Sequence, residues 1–145
     1  MKRTCCTYGI LLALTLLVSC NKMETAGDLA GNWQLTSMTD NTTGEVKADK
    51  TSQMFYTVKR ELLQMHRYST DPEYTYACLC RYEHRGDSLI LTEAYENHSN
   101  TDSLVAFTYL HKYGVTDDGR FRIVTLDGDN LVLRNAENTL SFRKY

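Results

Sequence analysis

From Gly31 onward the chain is a succession of short runs in which apolar and polar residues alternate, and turn signals separate most of them. Alternation with a period of two places every second side chain on the same face of a β-strand. The clearest runs cover residues 32–38, 74–84, 88–92, 121–126, 131–133 and 139–145. The turns at Arg85-Gly86-Asp87 and Asp127-Gly128 leave room only for tight hairpins. The pattern therefore predicts an all-β antiparallel meander.

Two stretches fit this pattern less clearly. Residues 53–69 alternate in part, yet their apolar residues also recur at helical spacing, so the pattern leaves strand and helix open. Residues 102–113 predict one short helix, which Ser99 or Thr101 can cap and Gly114 can end.

The amino end has the pattern of an export signal. Two basic residues at positions 2 and 3 precede a largely apolar run of eleven residues at 8–18. Such a run is too short for a resident transmembrane helix, which needs about 20 residues. The segment that ends it, Leu17-Val18-Ser19-Cys20, resembles the lipobox of bacterial lipoproteins. The resemblance implies that residues 1–19 are removed and that Cys20 carries the lipid.

This resemblance also sets the domain boundaries and the cellular address. Residues 20–28 are polar and predict a lipidated tether, and residues 29–145 are left as the folded domain. Two or more acyl chains hold a protein stably in a bilayer. Asn21 after the cysteine is typical of sorting to the outer membrane. We therefore expect an envelope protein that is anchored in the lipid bilayer of the outer membrane through Cys20. The sequence does not decide whether the domain faces the periplasm or the outside of the cell.

The charge excludes one class of partner. The formal net charge of the 145 residues is −2, and it becomes −4 when Lys2 and Arg3 leave with the signal. Proteins that bind nucleic acid neutralise phosphates with clustered lysine and arginine. We therefore expect no nucleic-acid partner.

Only two of the five cysteines stay in the folded domain without a lipid. Cys78 and Cys80 lie two residues apart on a predicted strand, so their side chains share a face. A disulfide between them would need strained geometry. The sequence leaves two interpretations open, either small apolar core residues or a labile thiol pair. Cys-x-Cys without further ligands at metal spacing is weak support for zinc, and we expect no metal.

The residues from Leu29 to Leu35 suggest a family. Leu29-Ala-Gly-Asn-Trp33-Gln-Leu35 resembles the Gly-x-Trp opening of lipocalin-like domains. The segments at 113–115, 119–123, 131–133 and 140–145 are similar to small lipocalin-like lipoproteins of Gram-negative gut bacteria. The resemblance implies an up-and-down antiparallel β-barrel of about eight strands with one short helix over the open end. It also implies that Trp33 packs across the closed end, and it favours strands for residues 53–69.

Catalytic patterns are weak in this chain. His66, His84, His98 and His111 are scattered, with no pair at i+2 or i+4. The sequence has no Ser-His-Asp or Cys-His motif in a recognisable turn and no phosphate-cradling glycine loop. Arg85-Gly86-Asp87 resembles an adhesion tripeptide, but Gly-Asp is also what a hairpin turn needs. We expect no enzyme, no catalytic residues and no cofactor.

The tyrosines are the candidate binding residues. Tyr74, Tyr76 and Tyr82 share a predicted strand face, while Tyr95, Tyr109 and Tyr113 flank the predicted helix. Amphipathic rings that line a cavity suit a flat, apolar or sugar-like ligand. They would equally serve to fill the barrel and its rim. The sequence thus favours a module that binds a small hydrophobic or amphipathic ligand. The alternative is a filled barrel that acts as accessory subunit or inhibitor of another envelope protein.

Overall fold

The computed structural model of the protein describes residues 26–98 and 100–145. The strands in this part are β1 (Gly31–Asp40), β2 (Val46–Asp49), β3 (Met54–Lys59), β4 (Leu62–Arg67), β5 (Cys78–Arg85), β6 (Ser88–Asn97), β7 (Asp102–Leu104), β8 (Arg120–Leu126), β9 (Asn130–Arg134) and β10 (Asn138–Lys144). Short 3-10 helices cover Gly27–Leu29, Lys50–Ser52, Pro72–Tyr74 and Phe107–Tyr113. The predicted signal at 1–19 and the predicted lipidation site Cys20 lie outside the described residues. Within the described residues, no helix has the length and apolar character that a bilayer crossing requires.

Eight of the strands close into an antiparallel barrel. Their order around it is β10-β9-β8-β6-β5-β4-β3-β1, and β1 pairs again with β10 from Trp33↔Lys144 to Asp40↔Asn138. The short strands β2 and β7 add to β1 and β6 outside this circle. Closure pairs each of these eight strands on both sides, which protects their edges from joining another chain. The prediction of an up-and-down barrel of about eight strands with a short helix is confirmed.

Alternation along the strands fills the barrel with large side chains. The inward-facing residues of the eight strands are all buried: Trp33, Leu35, Met38, Met54, Tyr56, Val58, Leu63, Met65, Cys78, Cys80, Tyr82, Leu89, Leu91, Ala94, Phe121, Ile123, Leu131, Leu133, Leu140 and Phe142. An eight-stranded barrel is just wide enough for its interior to be filled in this way. Burial of this apolar surface is the main force that holds the barrel together.

One end of the barrel is closed around Trp33, which has 0% of its surface exposed. The 3-10 helix Gly27–Leu29 lies beneath it, and the indole Nε1 donates a 2.8 Å hydrogen bond to the carbonyl of Leu29. Ala26, only 3% exposed, belongs to the same core. Ala26 therefore packs with the core, although it lies in the segment 20–28 for which the sequence predicts a tether. We call this end, where β1 begins, the tryptophan end.

Residues 53–69 form the two strands β3 and β4, as the resemblance favoured. Their inward residues are Met54, Tyr56, Val58, Leu63 and Met65, so the alternating pattern wins over the helical one. The strands pair from Met54↔Arg67 to Lys59↔Leu62.

The predicted helix at 102–113 is only half correct. Its first residues form strand β7, because Asp102–Leu104 pairs with the end of β6. The 3-10 helix begins after Ala106, whose side chain makes no capping bond, so Thr101 is not the cap; Ser99 lies outside the described residues. Gly114 ends the helix as predicted, at φ 88°. A Cβ there would lie 2.6 Å from the sulfur of Met38, so this position requires glycine.

The predicted strand at 74–84 begins later than expected. Strand β5 starts at Cys78, so Tyr74 and Tyr76 do not share its inward face with Cys78, Cys80 and Tyr82. Asp71 and Pro72 explain the difference. Proline suits the first turn of a helix, and the Asp71 carboxylate accepts a 3.0 Å bond from the Glu73 amide, which fixes Pro72–Tyr74 as a 3-10 helix.

Candidate ligand-binding site

Four tyrosines gather at the end of the barrel opposite Trp33. Tyr74 and Tyr76 lie in the connection between β4 and β5, and Tyr109 and Tyr113 lie in the helix Phe107–Tyr113 between β7 and β8. The rings of Tyr74 and Tyr113 pack edge to face with 5.8 Å between their centroids. We call these four residues the tyrosine cluster. Because they come from two separate connections, only the folded barrel brings them together.

The helix Phe107–Tyr113, which we call the cover helix, is fastened across this end. Two of its own residues, Leu110 and Tyr113, are fully buried and attach it to the core. The Tyr56 hydroxyl donates a 2.7 Å hydrogen bond from inside the barrel to the carbonyl of Tyr113. The side-chain amide of Asn135 donates a 2.7 Å hydrogen bond to the backbone carbonyl of Gly114, the residue after Tyr113. The cover helix therefore has a fixed place against the core.

A lysine ammonium lies among three rings of the tyrosine cluster. The Lys112 Nζ is 3.9 Å from the ring centroid of Tyr109 and 5.6 Å from those of Tyr74 and Tyr113. It also donates a 2.5 Å hydrogen bond to the carbonyl of Glu73. A cation within about 6 Å of a ring centroid is attracted by the negative face of the ring, by roughly 0.5–2 kcal/mol. The site therefore favours positive charge.

A carboxylate supports the cluster from the barrel wall. Glu96 accepts hydrogen bonds from the hydroxyl of Tyr109 and, at 2.8 Å, from Nε2 of His98. The bond from Tyr109 is the largest of the effects that lower the pKa of Glu96. Burial, followed by the bond to Glu96, raises the pKa of Tyr109. At neutral pH the carboxylate is ionised and the phenol is protonated, so the bond holds Tyr109 in place.

Tyr76 and Tyr74 each contact a further side chain beside the cluster. The ring of His98 packs against that of Tyr76, with 4.2 Å between centroids. Tyr76 is 41% exposed and marks the solvent side of the cluster. On the other side, the guanidinium carbon of Arg67 lies 4.6 Å from the ring centroid of Tyr74.

The hydroxyl of Tyr113 is a buried polar group without a hydrogen-bond partner in the described part of the chain. Burial is the main cause of its raised pKa, and the nearby Cys78 and Tyr74 raise it further. An unpaired buried hydroxyl costs roughly 1–3 kcal/mol. A ligand oxygen that reached it would recover part of this cost.

The two cysteines beneath the cluster are buried free thiols, which agrees with the interpretation as core residues. Burial raises the pKa of Cys78 to about 11 and that of Cys80 to about 12. Both are therefore protonated at neutral pH, and a protonated thiol is a poor nucleophile and a poor metal ligand. Across residues 26–98 and 100–145, no three His, Cys, Asp or Glu side chains come together in a group that could hold a metal.

The structure brings together four of the six tyrosines that the sequence singles out, Tyr74, Tyr76, Tyr109 and Tyr113. Tyr82 lies toward the tryptophan end, where its hydroxyl donates a 2.6 Å bond to the carbonyl of Arg60. It lines an open depression of about 470 Å³ whose other residues are mostly charged. Tyr95 follows the inward-facing Ala94 and so points outward, with its hydroxyl bonded to Glu93. Tyr82 and Tyr95 therefore do not line this site.

Three residues of the site were missed from the sequence: Glu96, His98 and Lys112. The only local signal is in the cover helix, where Tyr109 and Lys112 are three residues apart. This spacing places side chains on one face of a 3-10 helix. The contacts with Tyr74 and Glu96 depend on the closed barrel and leave no trace in the sequence pattern.

Comparison with known proteins agrees with this architecture. Two solved structures match the fold. The first, a lipocalin-like protein from Bacteroides uniformis, is 24% identical with a TM-score of 0.57, and the match covers 82% of this chain and 100% of that one. The second, an uncharacterized protein from Bacteroides eggerthii, is 21% identical with a TM-score of 0.54, over 80% of this chain and 98% of that one.

At these identities the two structures show a common fold and nothing about ligands. No curated protein is significantly similar to the chain. The family model described as a lipocalin-like domain matches residues 14–145, which is nearly the whole length. The closed eight-stranded barrel, the tryptophan-sealed end and this match together place the chain in the family of lipocalin-like domains.

Proposed function

We propose that this protein is a lipid-anchored lipoprotein of the cell envelope whose barrel binds a small amphipathic molecule at the tyrosine cluster. The observation that carries the proposal is the gathering of Tyr74, Tyr76, Tyr109 and Tyr113 around a few polar groups at one end of a lipocalin-like barrel. Small-molecule sites are typically lined by aromatic rings with a small number of polar groups that fix the orientation of the ligand.

The packing of the core indicates where such a ligand would lie. Trp33, Tyr56 and Phe142 occupy the interior, and the rings of Tyr56 and Phe142 are in contact at 4.7 Å. The ligand would therefore lie at the end of the barrel, against the cover helix, and not along the barrel axis. A ring face together with a polar edge suits a molecule that has both apolar and polar parts.

The anchor would orient the site. Cys20 precedes Ala26 by six residues, which span roughly 20 Å at most when extended. Since Ala26 belongs to the core at the tryptophan end, the lipid would hold that end close to the bilayer. The tyrosine cluster would then face away from the membrane, where it can exchange its ligand with the aqueous phase.

The test of ligand binding is recovery of a small molecule from the purified protein. The protein is extracted from membranes in a non-ionic detergent, and bound molecules are released with organic solvent and identified by mass spectrometry. We expect the same molecule from the wild type and from a Tyr95→Ala control, and at least fivefold less from a Tyr74→Ala/Tyr109→Ala variant. Equal recovery from all three, or no recovery from the wild type, would overturn the proposal.

The test of the anchor is independent of the ligand. Replacement of Cys20 by serine removes the thiol that would receive the lipid. We expect the variant to move from the membrane fraction to the soluble fraction, and a mass measurement to show the loss of the acyl chains. A variant that stayed in the membrane fraction would contradict the anchoring at Cys20.

A second candidate function is supported by aromatic residues on the outside of the barrel. Phe55 packs there against His66 and Tyr145, with ring centroids 5.3 Å apart in both pairs. Tyr68 and Tyr145 are 67% and 78% exposed. Exposed tyrosines above a buried aromatic base are common in protein interfaces. Through this surface the protein would act as an accessory subunit or an inhibitor of another envelope protein.

Cross-linking in intact cells separates the two candidates. A protein partner would be captured by the wild type and lost from a Tyr68→Ala/Tyr145→Ala variant, while the Tyr74→Ala/Tyr109→Ala variant would still capture it. If neither variant changes the cross-linking pattern, the outer aromatic residues are not an interface.

A further inference from the structure

The most unusual feature of the tyrosine cluster is that a side chain of the same protein occupies it. The ammonium of Lys112 lies within about 6 Å of the ring centroids of Tyr74, Tyr109 and Tyr113. Three aromatic rings around one ammonium are the arrangement with which proteins recognise substituted ammonium ligands. We propose that these rings form a binding site for an organic ammonium compound, and that Lys112 fills the site when the ligand is absent.

The three rings are held in place without help from Lys112. The hydroxyl of Tyr109 is bonded to Glu96, and Tyr113 is fully buried in the core. Tyr74 ends a 3-10 helix that the Asp71 carboxylate caps, and its ring packs on that of Tyr113. We therefore expect the three rings to keep their positions when the lysine ammonium is removed.

Lys112, in contrast, lies outside the buried core. Its ammonium makes one hydrogen bond, to the carbonyl of Glu73, and the side chain is only partly buried. It extends from the last turn of the cover helix, so rotation about its side-chain bonds can move the ammonium into solvent. A ligand can replace it without any change in the barrel.

The charges around the site match a cation. Glu96 accepts the hydrogen bond of the Tyr109 hydroxyl, and its ionised form is favoured by the bonds from Tyr109 and His98. The Glu73 carbonyl points at the ammonium. Arg67 also contacts the ring of Tyr74, but it is held by a 2.9 Å bond from its Nε to the carbonyl of Ser52. An ammonium ligand that replaced Lys112 would therefore meet the same favourable charges.

This inference rests on the proposed function, since it names the class of ligand for the same site. A neutral amphipathic molecule that was recovered in a tyrosine-dependent way would support ligand binding and contradict the ammonium class. Failure of one proposal can thus be told from failure of the other.

The test is calorimetric titration of the purified chain, in a non-ionic detergent, with choline and with its neutral isostere 3,3-dimethylbutan-1-ol. The variant Lys112→Met removes the competing ammonium but keeps an unbranched side chain. We expect choline to bind Lys112→Met about tenfold more tightly than the wild type, and the isostere to bind this variant at least fivefold more weakly than choline.

Two further variants guard against an effect of misfolding. Lys112→Arg keeps a cation in the site and should bind choline no better than the wild type. In the Lys112→Met background, Tyr109→Leu removes a ring and should weaken choline binding about tenfold. Tyr109→Phe keeps the ring but loses the bond to Glu96, so it should weaken choline binding less than Tyr109→Leu does. Choline binding that is equal to that of the isostere, or that is no tighter in Lys112→Met than in the wild type, would overturn the proposal.

Discussion

The hydroxyl of Tyr56, which points into the barrel, donates a 2.7 Å hydrogen bond to the backbone carbonyl of Tyr113 in the cover helix. This bond joins the barrel wall directly to the element that covers the tyrosine end. Tyr56→Phe keeps the ring but leaves the buried carbonyl without this donor. We expect the free energy of unfolding to fall by about 1–3 kcal/mol, and the amides of the cover helix to exchange faster with solvent deuterium.

The matched control is Tyr95→Phe. The hydroxyl of Tyr95 lies on the outer face of β6 and is bonded to the exposed carboxylate of Glu93. We expect its loss to change the free energy of unfolding by less than about 0.5 kcal/mol. Similar losses in the two variants would mean that the Tyr56 bond does not fasten the helix.

Trp33 seals the opposite end, and its removal should be among the most damaging single changes in the chain. Trp33→Ala leaves a cavity and removes the bond to Leu29, so we expect a loss of about 3–5 kcal/mol in urea unfolding. The control is Val124→Ala on β8, because Val124 is 54% exposed and should cost less than about 0.5 kcal/mol. A loss below about 1 kcal/mol for Trp33→Ala would show that Trp33 does not close the barrel.

The buried thiols predict slow chemistry. Burial holds the pKa of Cys78 near 11 and that of Cys80 near 12, so neither is a thiolate at pH 8. We expect iodoacetamide to label both residues at least a hundredfold more slowly in the folded protein than in urea. Peptide mapping by mass spectrometry assigns the label to each cysteine. Rapid labelling of either residue in the folded protein, or a disulfide between them, would contradict the packing described above.

Asp40 should make the stability of the barrel depend on pH in the acidic range. Its carboxylate lies 2.8 Å from the Lys47 ammonium and accepts hydrogen bonds from the backbone amides of Thr42 and Thr43. The hydrogen bond from Lys47, followed by those from the amides, holds the pKa of Asp40 well below its usual value. Stability that comes from a lowered pKa is fully present above the ordinary pKa of about 3.9 and is lost as the pH falls through the lowered value.

Asp40→Asn should therefore be less stable than the wild type at pH 7, and the difference should shrink as the pH falls from about 4 toward 2. Urea unfolding at a series of pH values measures this difference. Asp102→Asn, an exposed change on β7, is the control and should have little effect at any pH. A difference between Asp40→Asn and the wild type that stays constant down to pH 2 would contradict the role given to Lys47.

The fold was predictable because several local signals agree. The alternating runs near Trp33, Phe121 and Leu140 lie on strands β1, β8 and β10, and the Gly86-Asp87 turn joins β5 to β6. Residues 53–69 were harder, because their apolar residues fit both periods. The inward packing of Tyr56 and Met65 against a barrel that the rest of the chain builds decides for strands.

The errors came from segments whose conformation depends on distant partners. Asp102–Leu104 becomes a strand because the end of β6 offers a partner for pairing. The alternation before Cys78 predicts a strand that includes Tyr76, but Asp71 and Pro72 fix a helical turn at Pro72–Tyr74 and the strand begins only at Cys78. The contacts of Lys112 with the rings of Tyr74 and Tyr109 are not predictable from the sequence, because these two tyrosines come from separate connections of the barrel.

The most direct test of ligand binding at the tyrosine cluster is a two-dimensional amide NMR titration of the isotope-labelled Cys20→Ser chain with a small-molecule extract of the producing cells. If ligand binds at this end, shifts will be confined to residues 72–76, 96–98 and 107–114, and Tyr74→Ala/Tyr109→Ala will abolish them. An unchanged spectrum, or shifts centred on Leu29 and Trp33 at the other end of the barrel, would contradict it.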